Sequence, residues 1–293
     1  MDWRAPVNEH ALVLGATAPL TSIVTEPADG RAPSAAVLLL GAGIVHRVGP
    51  GRMYVRLARM LAERGYLTIR FDHSGIGDSD VRRDDLPFEQ RTVKETREVM
   101  DGLAKERGVD RFVLMGLCSG AETAFRVACE DPRVAGAVMI NAQGFDADEQ
   151  WIQHAHNLNW IRHYRTESAG SAGSWKRLLT GRVNYRRLLR VLSHHLTGRI
   201  AGRGRVDEIA ERLAGQWRDL VERGVGLLAI YSQRDPGLDY LDLILDRDRD
   251  RPTLEAAIRK EVVAHSDHTF TMMRHQQQVA DAVDDWIRSV APA

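Results

Sequence analysis

The sequence predicts an α/β protein: a mostly parallel central sheet flanked by helices, broken by a helical insertion. Three observations carry this. Short apolar runs alternate with stretches of helical spacing between residues 35 and 140. The alternation stops near residue 146 and resumes near 225. A chain of 293 residues can bury one such core and still hold an insertion, without disulfides or a structural metal.

The elements follow in order. Two β-like stretches open the chain, at 11–14 and 20–25. Residues 35–40 form a continuous apolar run ending in Gly41-Ala42-Gly43, the pattern of a buried strand entering a tight turn. Val55, Leu57, Ala58, Leu61 and Ala62 recur at helical spacing over 53–64, and Gly65 stops that helix. A strand at 67–71 leads into the glycine-bearing loop 72–79. A charged amphipathic helix covers 92–107, a strand 111–115, a helix 121–129 and a strand 134–140. From 146 to about 224 no convincing strand occurs, and four of the six tryptophans lie there: Trp151, Trp160, Trp175 and Trp217. Strands return at 225–231 and 261–264, and a helix over 276–290 closes the chain. The expected division is a first core part, 1–145, a helical cap insertion, 146–223, and a second core part, 224–293.

Lys plus Arg and Asp plus Glu each number 40, so no global field favours nucleic acid or a membrane surface. No run of 18 or so apolar residues predicts a membrane span, and the Met1-Asp2-Trp3-Arg4 start has no signal-like stretch, so the expected location is the cytoplasm. The two cysteines, Cys118 and Cys129, fall in one strand–turn–helix unit and are expected to be reduced.

Gly116-Leu117-Cys118-Ser119-Gly120 follows a buried strand and opens a helix. That is the context of a G-x-nucleophile-x-G elbow, where a tight turn demands small flanking residues and lifts the central side chain over the sheet. By register the central residue is Cys118, and Ser119 falls one place later. The strand at 225–231 is followed by Asp235-Pro236-Gly237, and the strand at 261–264 by His265-Ser266-Asp267-His268. The order nucleophile, acid, histidine is that of the α/β-hydrolase fold, and each candidate follows a strand end.

These pieces resemble a known group. Gly116-Leu117-Cys118-Ser119-Gly120-Ala121, His46-Arg47-Val48-Gly49-Pro50, Asp235-Pro236-Gly237 and Asp267-His268-Thr269-Phe270 are similar to segments of serine-aminopeptidase-like α/β-hydrolases. Within that group they look closest to bacterial biosynthetic hydrolases, including exosortase-associated ones, that carry a Cys-Ser-Gly-Ala elbow. The resemblance covers roughly residues 9–145 and 224–290. Dienelactone hydrolases and polyhydroxyalkanoate synthases, more distant on the fold, also use cysteine there.

Residues and resemblance together give a set of expectations. Cys118 is the expected nucleophile, with a buried structural cysteine as the plain alternative. His268 is the expected general base, with His265 and His275 as competitors; the resemblance places the histidine in the Asp-His-Thr-Phe segment. Asp235 is the expected orienting acid, with Asp239 and Asp242 as alternates and a simple turn aspartate as the plain reading. The oxyanion hole is expected from the backbone amides of Ser119 and Gly43, with Ala42 and Ile44 beside the latter. His46 and Arg47 are expected to line the pocket and meet an acidic group, Asn141 and Gln143 to touch substrate, and the loop 72–79 and Cys129 to be structural. His265-x-x-His268 lacks companion ligands, so no metal is expected, and no cofactor.

The expected function is acyl chemistry on an ester, thioester or related substrate through a Cys-His-Asp triad and an acyl-cysteine, in a bacterial biosynthetic pathway. The alternatives are an acyltransferase or condensing enzyme using the same acyl-cysteine, and a degenerate binding protein. Between Glu167 and Asp207 no acidic residue occurs, while Lys176, Arg177, Arg182, Arg186, Arg187, Arg190, Arg199, Arg203 and Arg205 do. That block is either a solvated helix face or a docking surface for coenzyme A phosphates or an acyl-carrier protein. The expected partner is therefore a small acyl substrate, free or tethered in one of those ways. The sequence leaves oligomeric state open.

Overall fold

The computed structural model describes residues 8–27, 35–143 and 203–291. Eight strands form one sheet in the order β1-β2-β4-β3-β5-β6-β7-β8. They are β1 Asn8–Leu14, β2 Leu20–Glu26, β3 Ala36–Leu40, β4 Leu67–Phe71, β5 Phe112–Leu117, β6 Val134–Ile140, β7 Gly226–Ser232 and β8 Ile258–Val263. β1 with β2 and β2 with β4 are antiparallel; every pairing from β4 to β8 is parallel. The described helices are α1 Met53–Glu63, α2 Phe88–Arg107, α3 Ser119–Glu130, α4 Arg203–Glu222, α5 Gly237–Leu245, α6 Arg251–Ala257 and α7 Met273–Val290.

β3, β5 and β6 are apolar at every position because both faces are covered. Along β3 the period of two divides the side chains between two cores. Val37 and Leu39 join the layer containing Tyr54, Leu57 and Leu61 of α1 and Val279, Val283 and Trp286 of α7. Ala36, Leu38 and Leu40 join the opposite layer with Val99 and Leu103 of α2, Phe125 of α3 and Trp217 of α4. The sheet is thus sandwiched, and the chain turns at its strand ends carry the candidate residues.

Three local readings differ from the sequence expectation. β8 begins at Ile258 rather than 261, because it is an edge strand reading Ile-Arg-Lys-Glu-Val-Val with only its two end residues buried. Alternating charge of this kind protects an edge and hides the strand from a hydrophobic scan. The short α5 and α6 between β7 and β8 were not anticipated. Finally, α4, inside the segment expected to be a cap, packs in the sheet-flanking layer: Ala210, Leu213, Trp217 and Leu220 are fully buried, and the Trp217 ring lies 5.2 Å from that of Phe125. The remainder of the expected cap, with Trp151, Trp160, Trp175 and most of the basic block, lies outside the described residues.

Candidate active site

The elbow is built by close approach of backbone. Residue 118 has φ 55 and ψ −121, a conformation L side chains rarely adopt, and it caps α3. It is held from both sides: its N–H donates to the Ile140 carbonyl at 2.9 Å, and its carbonyl accepts from the Ala121 N–H at 2.9 Å. A Cβ on Gly120 would lie 2.5 Å from the Leu40 carbonyl oxygen and 2.8 Å from that of Gly41; one on Gly116 would overlap Gly120 itself. The two glycines are therefore conditions for β5 to turn into α3 under the end of β3. Tyr54 locks the same junction. Its hydroxyl donates to the Leu40 carbonyl at 2.8 Å and accepts from the Leu117 N–H at 2.9 Å. Full burial pushes its phenol well above the ordinary value.

Of the three candidate acids, Asp235 meets the histidine. Its Oδ2 lies 2.6 Å from His268 Nδ1. The Asp235 side chain is 2 % exposed and that of His268 38 %. The turn after β7 fixes the acid: the Asp235 N–H donates to Ser232 O at 2.9 Å, and Gly237 N–H donates to Asp235 Oδ1 at 2.9 Å. Gln143 Nε2 stands 3.2 Å from Asp235 Oδ2 and 3.4 Å from His268 Nδ1. The hydrogen bond to Asp235, then the one to the Cys118 thiol, push the His268 pKa up to about 10, against the opposing effect of burial. The competitors sit elsewhere. The His265 N–H donates to the Gln233 side chain at 3.0 Å, and His275 is buried on α7 beside Arg274. Asp242 faces Lys260 at 3.5 Å.

Gly43, at φ 55, points its N–H at the Ser119 hydroxyl, 2.7 Å away. The first amides of α3 have no partner within the helix, so the Ser119 N–H and the Gly43 N–H bracket the elbow mouth.

The other sequence candidates divide. Arg47 is nearly buried and committed to the loop 72–79. Its guanidinium pairs with Asp72 and with Asp78, the latter at 2.7 Å, and its N–H donates to Asp72 Oδ1 at 2.6 Å. His46, partly exposed, lies 3.4 Å from Asp72. His46, Asp72 and Asp78 bring donor atoms within 4.8 Å of one another, and the Arg47 guanidinium is paired with both carboxylates. Asn141, expected to touch substrate, is fully buried with both ends of its amide bonded to backbone. Cys129 packs against the core, and burial pushes its thiol up to about 12. Sequence reasoning missed Tyr54, which reads as one more apolar-face residue of α1, and it gave Gln143 no part beside the acid and base. A tyrosine 14 residues beyond a buried strand carries no signal of the carbonyl it will meet.

Comparison with known proteins gives the following. The family described as "Serine aminopeptidase, S33" matches residues 33–178, just under half of the chain and including the elbow. Putative carbamate hydrolases RutD of Klebsiella pneumoniae (strain 342) and Klebsiella variicola (strain At-22) are each 28% identical over 147 residues. The match spans 49% of this chain and 49% of theirs, so the chain spans about half the length of the curated relatives it matches. Among solved structures, an α/β serine hydrolase without a lid from Xanthomonas campestris superposes with a TM-score of 0.56 at 16% identity, over 98% of this chain and 97% of that one. Proline iminopeptidase of Mycobacterium smegmatis gives 0.59 at 15% identity over 96% and 98%. Dienelactone hydrolase of Anabaena variabilis gives 0.55 at 13% identity over 97% and 99%.

These findings correct one expectation. The chain was expected to belong with cysteine-nucleophile hydrolases and to work through a Cys-His-Asp triad and an acyl-cysteine, as hydrolase, thioesterase or acyltransferase. The matched family is named for serine chemistry, and so is the Xanthomonas structure; acyl-hydrolase chemistry in general is what they support. The physical reason is plain in the turn. Its form is imposed by Gly116, Gly120 and the backbone of β3, whatever atom stands at the apex, so one letter in an elbow does not assign a chain to a thiol-based class. The β-sheet order, the helices on both faces and the strand-end placement of elbow, acid and histidine are those of the α/β-hydrolase fold, and that is the fold of this protein.

Proposed function

We propose that the protein is a hydrolase of small acyl substrates, esters in the first instance. His268 acts as general base and acid, Asp235 as the carboxylate that orients it, and the turn Gly116–Gly120 as the bearer of the nucleophile. The observation that carries the reading is the 2.6 Å contact of Asp235 with His268 Nδ1. That contact fixes the tautomer and leaves Nε2 to take a proton.

The chemistry then runs as follows. His268 removes the proton of the elbow nucleophile as it adds to the substrate carbonyl. The oxygen that becomes negative is met by the N–H groups of Ser119 and Gly43. Gly43 must first release the Ser119 hydroxyl. The imidazolium passes its proton to the leaving alcohol, and water enters by the same base to free the acid. The turn carries two side chains with a nucleophilic atom, the Ser119 hydroxyl, which accepts the Gly43 N–H at 2.7 Å, and the Cys118 thiol.

The test is turnover of 4-nitrophenyl acetate and butyrate by the full chain, with Cys118→Ala, Ser119→Ala and His268→Ala beside it. His268→Ala is expected to lose turnover, and the variant at 118 or 119 that loses it too names the nucleophile. Turnover surviving all three substitutions refutes the site. Acyl-coenzyme A thioesters and carbamates belong in the same panel. The first test a coenzyme A or carrier-protein tether, to which the basic run 176–205 is suited by charge; the second follow from the relatives' name.

A further inference from the structure

Asn141 stands where three strand ends meet. It follows the last residue of β6 and has φ 47, the left-handed region that asparagine tolerates better than other side chains. Its N–H extends the ladder by donating to Ile230 O on β7 at 2.8 Å. Its side chain reaches two further backbone groups. Oδ1 accepts from the Ser232 N–H at 2.7 Å, and Nδ2 donates to the His268 carbonyl at 2.6 Å. Ser232 in turn accepts the Asp235 N–H. One buried amide therefore ties the turn bearing the acid to the loop bearing the base.

We propose that Asn141 is the positioning residue that sets His268 against Asp235. This rests on the function proposed above and adds to it a residue that touches neither substrate nor the reacting atoms. The Asp235–His268 contact joins two loops that follow different strands, β7 and β8; Gln233 Oε1 crosses between them near their base, accepting the His265 N–H at 3.0 Å, whereas the Asn141 amide crosses at His268 itself. The Asp267 carboxylate organises the histidine loop from within, accepting from the N–H groups of Thr269 and Thr271 at 3.1 and 2.9 Å, and Phe270 anchors it in the core. Those contacts shape the loop; the Asn141 amide registers it to the acid. Gln143, two residues on, reaches the same pair, its Nε2 3.2 Å from Asp235 Oδ2 and 3.4 Å from His268 Nδ1.

The experiment uses Asn141→Gly in the full chain. Glycine keeps the left-handed backbone without strain and deletes both side-chain bonds. The readouts are kcat and KM for 4-nitrophenyl butyrate, and the titration of His268 followed by NMR in 15N-histidine-labelled protein. The expected result is a kcat lower by about 10- to 100-fold, since a misplacement on the order of 1 Å costs that much. KM should stay within about twofold, and the His268 pKa should fall from about 10 toward its ordinary value. A kcat within about twofold of the parent, or a raised KM with kcat kept, overturns the inference; the second outcome would make Asn141 a substrate contact. If the glycine variant does not fold, Asn141→Asp carries the test. It retains the acceptor for Ser232 and sets a carboxylate against the His268 carbonyl, so an unchanged kcat overturns the inference equally. Failure of the underlying function is told apart by His268→Ala: if that variant keeps full turnover, the proposed function falls, whereas an inactive His268→Ala with a normal Asn141→Gly removes only the role of Asn141.

Discussion

Replacing Asp235 by asparagine removes the charge that raises His268 while keeping its shape. In the folded protein His268 is pushed up to about 10 from an ordinary 6.5, and its hydrogen bond to Asp235 is the largest cause, ahead of Cys118 and opposed by burial. Loss of one adjacent carboxylate moves a pKa by about one to three units, so Asp235→Asn should titrate lower by that amount. Two consequences have definite signs. A general base works unprotonated, so the rising limb of the pH–rate profile lies above the range of an ordinary histidine in the parent and shifts down in the variant. The plateau falls as well, on the order of 10²- to 10⁴-fold, because the imidazole loses its fixed tautomer. In stability, a pKa raised by folding contributes fully below about 6.5 and is lost as pH climbs through about 10. The parent's urea midpoint should therefore decline over that window more steeply than the variant's. The assay is a 15N-histidine NMR titration of both proteins, with urea unfolding at pH 6 and pH 10. A parent His268 that titrates near 6.5, or one whose pKa the substitution leaves in place, refutes the reasoning.

Further outcomes follow from the same geometry. Arg47→Ala leaves the fully buried Asp72 carboxylate without its cation and should destabilise the protein by about 3 kcal/mol or more; an unchanged Tm with a raised KM would instead make Arg47 a substrate contact. Gly120→Ala drives a methyl group to within 2.5 Å of the Leu40 carbonyl oxygen, so turnover of 4-nitrophenyl butyrate should be lost with the elbow, and a fully active variant would show that the turn yields. Tyr54→Phe strands the Leu117 N–H and the Leu40 carbonyl in the core, at about 1–3 kcal/mol; an unshifted urea midpoint would show that other groups take them up.

The legibility of this chain followed the range of the forces involved. Runs such as Ala36–Leu40 and Phe112–Leu117 are buried on both faces, and their composition announces it. β8 was read late because an edge strand is half solvent and its charges mask the pattern. Trp217 was read as part of an insertion, since the absence of strand signal says nothing about which layer a helix joins; its burial against Phe125 is a long-range fact. Among the candidate residues, Asp235 and His268 are legible in the sequence because each follows a strand end, and the structure brings the two into contact. The surroundings of Arg47 and Asn141 are not legible in the sequence, because their partners, Asp72 and the His268 carbonyl, lie 25 and 127 residues away.

By itself the sequence determined the layered α/β architecture, the turn Gly116–Gly120 and the order of acid and histidine, all of which rest on local spacing and on glycines that no other residue can replace. Only the tertiary structure decided that Asp235 rather than Asp242 meets His268, that Arg47 is occupied, and that Asn141 faces two backbones. Such choices depend on which strand ends become neighbours across the sheet, and hydrogen bonds between them exist only once the fold has brought them within 3 Å or so.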